Sequence, residues 1–295
     1  MVYDMVIKSK AGSQRKTLII VSLILVTMVI SSLYVYWFLM VDNDGSIRVK
    51  NASELRDAVN NAEVSVPTTI ILTRDISLGT LFIPAGADIT LTSVGSNDVF
   101  FKLIGSTDES VITVQSSGRL ILDGVIVTHT SGFTGSGVAV ELGGTLILVD
   151  GEISGNTATY GGGVSNSGSF VMTGGSITDN IAISRGGGIF SGGTFTMSGG
   201  VISNNQAEYG GGVDGGASFS MSGGEISDNT AMSGGGVFVR LGTFTMSGGV
   251  ISNNQATEGY GGGVYNYYGM FNSSGGEISG NKAAVGNDVH QKLNE

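Results

Sequence analysis

Thr194-Phe-Thr-Met-Ser-Gly-Gly-Val-Ile-Ser-Asn-Asn-Gln-Ala207 returns almost unchanged as Thr243-Phe-Thr-Met-Ser-Gly-Gly-Val-Ile-Ser-Asn-Asn-Gln-Ala256. A looser copy, Ser218-Phe-Ser-Met-Ser-Gly-Gly-Glu-Ile-Ser-Asp-Asn-Thr-Ala231, lies between them. Each copy is followed by three glycines and an aliphatic residue, ending at Val213, Val237 and Val264. Self-similarity at a fixed period is the signature of a repeat architecture and takes precedence over local propensity.

Working outward, equivalent residues fall into columns. Ile126, Ile153, Ile177, Ile202, Ile226, Ile251 and Ile278 recur at steps of 24 to 27 residues. Asparagine stands three residues after each of the last six, at Asn156, Asn180, Asn205, Asn229, Asn254 and Asn281. Two further apolar columns run through Phe170, Phe195, Phe219 and Phe244, and through Met172, Met197, Met221 and Met246. Apolar residues alternate with small polar ones inside each segment, which is the period of a strand. A unit this short cannot bury its own apolar face, but one unit per turn lets each strand pair in parallel with the next, about 4.8 Å away.

The expected fold is all-β: a right-handed parallel β-helix, a solenoid with three short strands per turn. The hand follows from the general rule for parallel crossovers. Regular repeats are expected over about 112–289. Glycine and asparagine suit the corners because they tolerate positive φ. The asparagine column is expected to be structural, with stacked amides bonded along the axis.

The 295 residues include 50 glycines, two prolines and no cysteine. Absent cysteine excludes disulfides and thiolate metal sites. Residues 1–16 hold four basic side chains against Asp4, and Thr17 to Val41 holds no charge at all. Such a stretch is long enough to cross a hydrocarbon core of roughly 30 Å. Tyr34, Tyr36, Trp37 and Phe38 cluster at its far end as an interfacial belt would. The expectation is a cytoplasmic segment 1–16, a transmembrane anchor 17–41 and an extracellular part 42–295; a cleaved signal peptide is the alternative. Beyond Val41, 10 basic side chains face 23 acidic ones. That excludes nucleic acid as a partner, which needs clustered Lys and Arg.

Asn51-Ala-Ser-Glu54 reads as a helix N-terminus, with Leu55, Ala58, Val59 and Ala62 on one face. A capping helix over about 52–62 would cover the first turn of the solenoid.

The GG-x-I-S-x-N-x-A … GGGV rung resembles adhesin-like right-handed β-helix surface proteins of bacteria and methanogenic archaea. It is also similar to the repeats of chlamydial polymorphic outer-membrane proteins, although their F-x-x-N spacing and C-terminal barrel are missing. More distantly it looks like the pectate-lyase fold. The resemblance implies a membrane-anchored cell-surface scaffold that binds an extracellular glycan or surface protein. The alternative it implies is a polysaccharide lyase or glycoside hydrolase.

Candidate chemistry is sparse. Asp179 and Asp228 share a column two turns apart, hence about 9–10 Å, near the upper limit of an inverting carboxylate pair. They are the weak catalytic candidates, but they occupy an Asn-Asp corner where a solvated turn residue is the plainer explanation. Arg185 and Arg240 fall in different columns. His129 and His290 are isolated, so no metal site is expected, and nothing calls for a cofactor. Tyr160, Tyr209 and Tyr260 each precede a glycine triplet; Phe190, Phe238 and Tyr265 each follow the inward aliphatic. By alternation the second set should face outward on alternate turns, and both sets are the candidate glycan-binding residues. The plainer reading has them packed on one another over glycine backbone. Thr194, Thr196, Ser218, Ser220, Thr243 and Thr245 form an outward hydroxyl row suited to an ordinary sheet surface.

Overall fold

The computed structural model describes residues 42, 44–93 and 100–292. The expected cytoplasmic segment 1–16 and anchor 17–41 lie outside the described residues. Among the described residues no helix is long and apolar enough to cross a membrane. The chain divides into two units, 1–46 and 47–295. In the described part of the first, Asp42 N donates to Ser46 O and Ser46 Oγ to Asp44 Oδ1.

The second unit is a parallel β-solenoid of about 10 turns. Its strands form sheets of fifteen, nine and five, and every pairing between strands is parallel. Winding begins earlier than the regular repeats suggest: Ile47–Val49 already pairs with Ile70 to Leu72. One helix, α1 (Ala52–Asn60), follows this first strand. Asn51 Oδ1 accepts from Glu54 N at 3.0 Å, and Lys50 N donates to Glu54 Oε2 at 2.9 Å. The helix buries Leu55, Ala58 and Val59 against the terminal strands Ile47–Val49, Ile76–Leu78 and Leu81–Ile83. Leu55, Ala58 and Val59 belong to the face expected from the sequence, and Ala62 lies beyond the end of the helix.

The expectation of three strands per turn is corrected in the central turns, which have four. Ile189–Ser191, Thr194–Met197, Val201–Ser203 and Gln206–Tyr209 make one such turn. The fourth segment builds the five-stranded sheet, and its inward residue is only alanine: Ala158, Ala182, Ala207, Ala231 and Ala256 are buried. So small a side chain gives little apolar signal in sequence. A second correction concerns the first repeat. Val127, not Ile126, pairs with Ile153, because the register shifts near Asp150 and Gly151.

Inside, the phenylalanine rings stack turn on turn. Phe170, Phe195, Phe219, Phe244 and Phe271 have successive centroids 4.4–5.0 Å apart. Such offset stacks add specific geometry to the apolar burial. The asparagines form a continuous ladder. Asn205 Nδ2 donates to Asn229 Oδ1 at 3.0 Å, and Asn229 Nδ2 to Asn254 Oδ1 at 2.9 Å. The backbone N of each residue donates to the same oxygen of the next turn. The remaining amide hydrogens reach main-chain carbonyls such as Ile177 O and Ile202 O. His129 Nδ1 meets Asn156 Oδ1 at 2.8 Å at one end, and Asp288 Oδ1 accepts from Asn281 Nδ2 at the other.

The residue before each ladder asparagine is Gly155, Asp179, Asn204, Asp228, Asn253 or Gly280, with φ between 55° and 70°. Asparagine, aspartate and glycine are the residues that adopt this conformation at least cost. In each glycine triplet the first residue turns the chain, as Gly210 does with φ 63°. The second lies too close to the next turn for a side chain; a Cβ on Gly211 would meet Gly235 O at 2.5 Å.

Candidate functional site

The glycine triplets bring two outward-facing columns together across a corner. One column, on the edge of the five-stranded sheet, runs Tyr160, Arg185, Tyr209, Ser233, and Tyr260 takes the same place one turn on. The other, in the nine-stranded sheet, runs Ser165, Phe190, Asp214, Phe238, Tyr265 and His290 in unbroken register. Only glycine backbone lies between them, so side chains reach across. Two tyrosines of the first column meet the second column one turn further on: Tyr160 meets Phe190 and Tyr209 meets Phe238, both at 5.4 Å. Tyr260 stacks on His290 at 4.5 Å and meets Tyr265 of its own turn at 5.4 Å in a tilted arrangement.

All six predicted aromatic residues therefore lie in one strip, but not as free rings. Phe238 and Tyr265 face away from the interior stack yet are only 3 % and 5 % exposed, which corrects the expectation of outward, accessible rings. The covering groups come from neighbouring turns: Tyr209, Tyr265 and Tyr267 enclose Phe238. Phe238 and Tyr265 also sit on adjacent turns, with centroids 5.3 Å apart, rather than on alternate ones. Phe190 and Tyr209 are half-buried. Tyr160 and Tyr260 present open faces, at 47 % and 42 % exposure.

In one layer the aromatic pair is replaced by a charged one. Arg185 stands where its neighbours are tyrosines, and Asp214 stands between Phe190 and Phe238. Arg185 Nη1 is 3.9 Å from Asp214 Oδ2, an ion pair without a hydrogen bond. Neither carboxylate oxygen of Asp214 has a hydrogen-bond partner. Burial pushes its carboxyl up from 3.8 to about 6, although Arg185 and Arg240 pull the other way. Desolvation outweighs attraction here because the cations do not bond the buried oxygens. The Arg185 guanidinium also lies 5.6 Å from the Tyr209 ring centroid.

The strip ends in a cluster that sequence reading passed over. Val239, Asn266 and Gln291 are in register, so the residues after them, Arg240, Tyr267 and Lys292, form another column at the corner. Lys292 Nζ lies 4.5 Å from the Tyr267 ring centroid and 4.7 Å from that of Tyr268. The neighbouring Lys292 ammonium holds the Tyr268 phenol below its ordinary range. Burial pushes the Tyr265 phenol up. The signal was present: Val-Tyr-Asn-Tyr-Tyr over 264–268 packs three tyrosines into five residues beside a cation column.

The remaining candidates do not gather. Asp179 and Asp228 are exposed corner residues with φ 55° and 57°, in the same column as Asn204 and Asn253. Among the described residues, no three His, Cys, Asp or Glu side chains converge to hold a metal ion. His129 belongs to the ladder, with Nε2 2.8 Å from Glu109 O. The hydroxyl row is in register, Thr194 with Ser218 and Thr243, and Thr196 with Ser220 and Thr245. No family model, curated protein or solved structure matches the chain.

Proposed function

We propose that the chain is a surface scaffold of the adhesin-like kind, held to the membrane by residues 17–41 and binding glycans along the aromatic strip. The strip carries this reading: tyrosine and phenylalanine recur along the solenoid axis, and Tyr160, Tyr260 and Tyr268 keep open ring faces. Pyranose rings offer apolar faces that aromatic rings accept, while their hydroxyls stay in water. The basic segment before the apolar stretch favours a cytoplasmic N-terminus, and the crossover rule favours a right-handed winding. A glycan array probed with the full-length chain tests the binding. Retention on at least one glycan class, reduced by Tyr160→Ala or Tyr260→Ala, is expected; no retention on any class would end the reading. Protease shaving of intact cells tests the topology, with the solenoid expected to be accessible.

One observation favours the catalytic alternative, a polysaccharide lyase or glycoside hydrolase. Asp214 is a carboxyl that holds its proton up to about pH 6, as a general acid does. Against it, the side chain is sealed, and Asp179 and Asp228 serve as turn residues. Polysaccharide cleavage abolished by Asp214→Asn, in a protein that still folds, would replace the binding reading with the catalytic one.

A further inference from the structure

The glycan reading above is indifferent to charge, but the strip is not. The chain has a formal net charge of −10, and after Arg119 it holds only four basic side chains, Arg185, Arg240, Lys282 and Lys292. Three of the four lie on the aromatic strip. Arg185 is engaged with Asp214. Arg240 and Lys292 are exposed, and among the described residues neither pairs with a carboxylate. They occupy one axial column with Tyr267 between them. Two turns separate the cations, hence about 9–10 Å. Tyr268 adds an open ring at 42 % exposure, its backbone N bonded to Arg240 O at 3.1 Å and its ring beside the Lys292 ammonium. Tyr260 and the His290 ring stacked on it flank the same corner.

Cations alternating with aromatic faces at this spacing match a particular ligand chemistry. We infer that Arg240, Tyr267, Tyr268 and Lys292 form a binding site for an anionic polysaccharide carrying one carboxylate or sulfate per disaccharide, laid along the solenoid axis. Successive anionic groups meet Arg240 and Lys292, and the sugar between them rests against Tyr267 and Tyr268. Arginine can take a carboxylate or sulfate with two parallel hydrogen bonds, and lysine meets it as a point charge. The acidic body elsewhere disfavours adsorption of a polyanion at any other place, so the strip supplies orientation as well as affinity. The inference rests on the glycan reading and adds charge, spacing and location to it.

The test uses the full-length chain and four probes measured by calorimetry or affinity electrophoresis. Hyaluronan supplies one carboxylate per disaccharide, and keratan sulfate supplies sulfate without uronate. Carboxyl-reduced hyaluronan keeps the sugar chain without the charge, and polyacrylate keeps the charge without sugar. Binding to at least one of the first two is expected, about tenfold weaker for the reduced chain. The double variant Arg240→Ala with Lys292→Ala should lose a similar factor and most of the salt dependence, and Tyr268→Ala should weaken binding at unchanged salt dependence. All three residues are exposed, so these variants should fold. Equal binding of hyaluronan and its reduced form would overturn the anionic site while leaving glycan binding in place. Equal binding of polyacrylate would replace sugar recognition with plain charge attraction. No binding of any probe would overturn this inference, and the array above would still decide the broader one.

Discussion

Asn229 and Asp214 lie in the same turn of the solenoid, and both are 0 % exposed. Around Asn229 every polar atom is used. Its Oδ1 accepts from Asn205 N and Nδ2 at 2.9 and 3.0 Å, and its Nδ2 reaches Ile202 O and Asn254 Oδ1, both at 2.9 Å. Around Asp214 neither oxygen is used. The ladder is the same residue repeated, so each amide finds in the next turn the partner it offers to the one before. Asp214 has no such neighbour, because the residues above and below it in its column are Phe190 and Phe238. A repeated polar group can be buried at low cost, and a single departure from the repeat cannot. In a solenoid, departures are therefore the places where something other than stacking sets the residue.

The largest expected effect tests the satisfied side of this contrast. Asn229→Ala strands the Asn205 amide hydrogens and the Ile202 carbonyl in the interior at once. Each unsatisfied group costs about 1–3 kcal/mol, so a loss of about 4 kcal/mol is expected in urea unfolding. A loss below about 1 kcal/mol would mean that the ladder is decoration on a stack held by its apolar columns alone.

A smaller loss is expected in the aromatic strip, and it divides by burial. Phe238→Ala empties a site enclosed by Tyr209, Tyr265 and Tyr267 and should cost about 3 kcal/mol. Tyr160→Ala removes a half-open ring and should cost under about 1 kcal/mol. Thermal midpoints of the two variants check this directly. Equal losses would show that the strip is packed uniformly and presents no free face for a ligand.

These contrasts were partly legible in the sequence. The period, the phenylalanine and methionine columns and the six asparagines all read directly, because each is one residue type repeated at one depth. The alanine segment did not read as a strand, since Ala207 or Ala231 gives too little apolar signal against its polar neighbours. The burial of Phe238 was illegible for another reason: alternation tells which way a side chain leaves its own strand, and the covering rings belong to other turns. The Arg185–Asp214 layer was legible in principle. Ser-Arg-Gly-Gly-Gly and Val-Asp, one turn apart, depart together from Tyr-Gly-Gly-Gly and Val-Phe. The two departures have to be compared across turns, at the offset that the corner imposes, before they appear as a pair.

The last expected effect concerns that layer and carries a sign. The Asp214 carboxyl has its folded-state value raised from 3.8 to about 6. Between those limits the folded protein binds more protons than the unfolded chain, so stability is lost as pH rises through that window and is flat above it. The whole shift, which already includes the attraction of Arg185 and Arg240, corresponds to about 3 kcal/mol. Asp214→Asn removes the charge but keeps an unsatisfied polar group, so it isolates ionisation from hydrogen bonding. The variant should match the parent below about pH 4 and exceed it by about 3 kcal/mol at pH 8, read as the difference between the two urea midpoints at each pH. If Arg185 instead closes on the carboxylate in solution, the difference reverses: the variant would be the weaker protein at pH 8, and Asp214 would be a satisfied ion pair like any other. Arg185→Leu deepens the alkaline loss in either case, because the guanidinium already pulls the carboxyl down, and by more where it closes on the carboxylate.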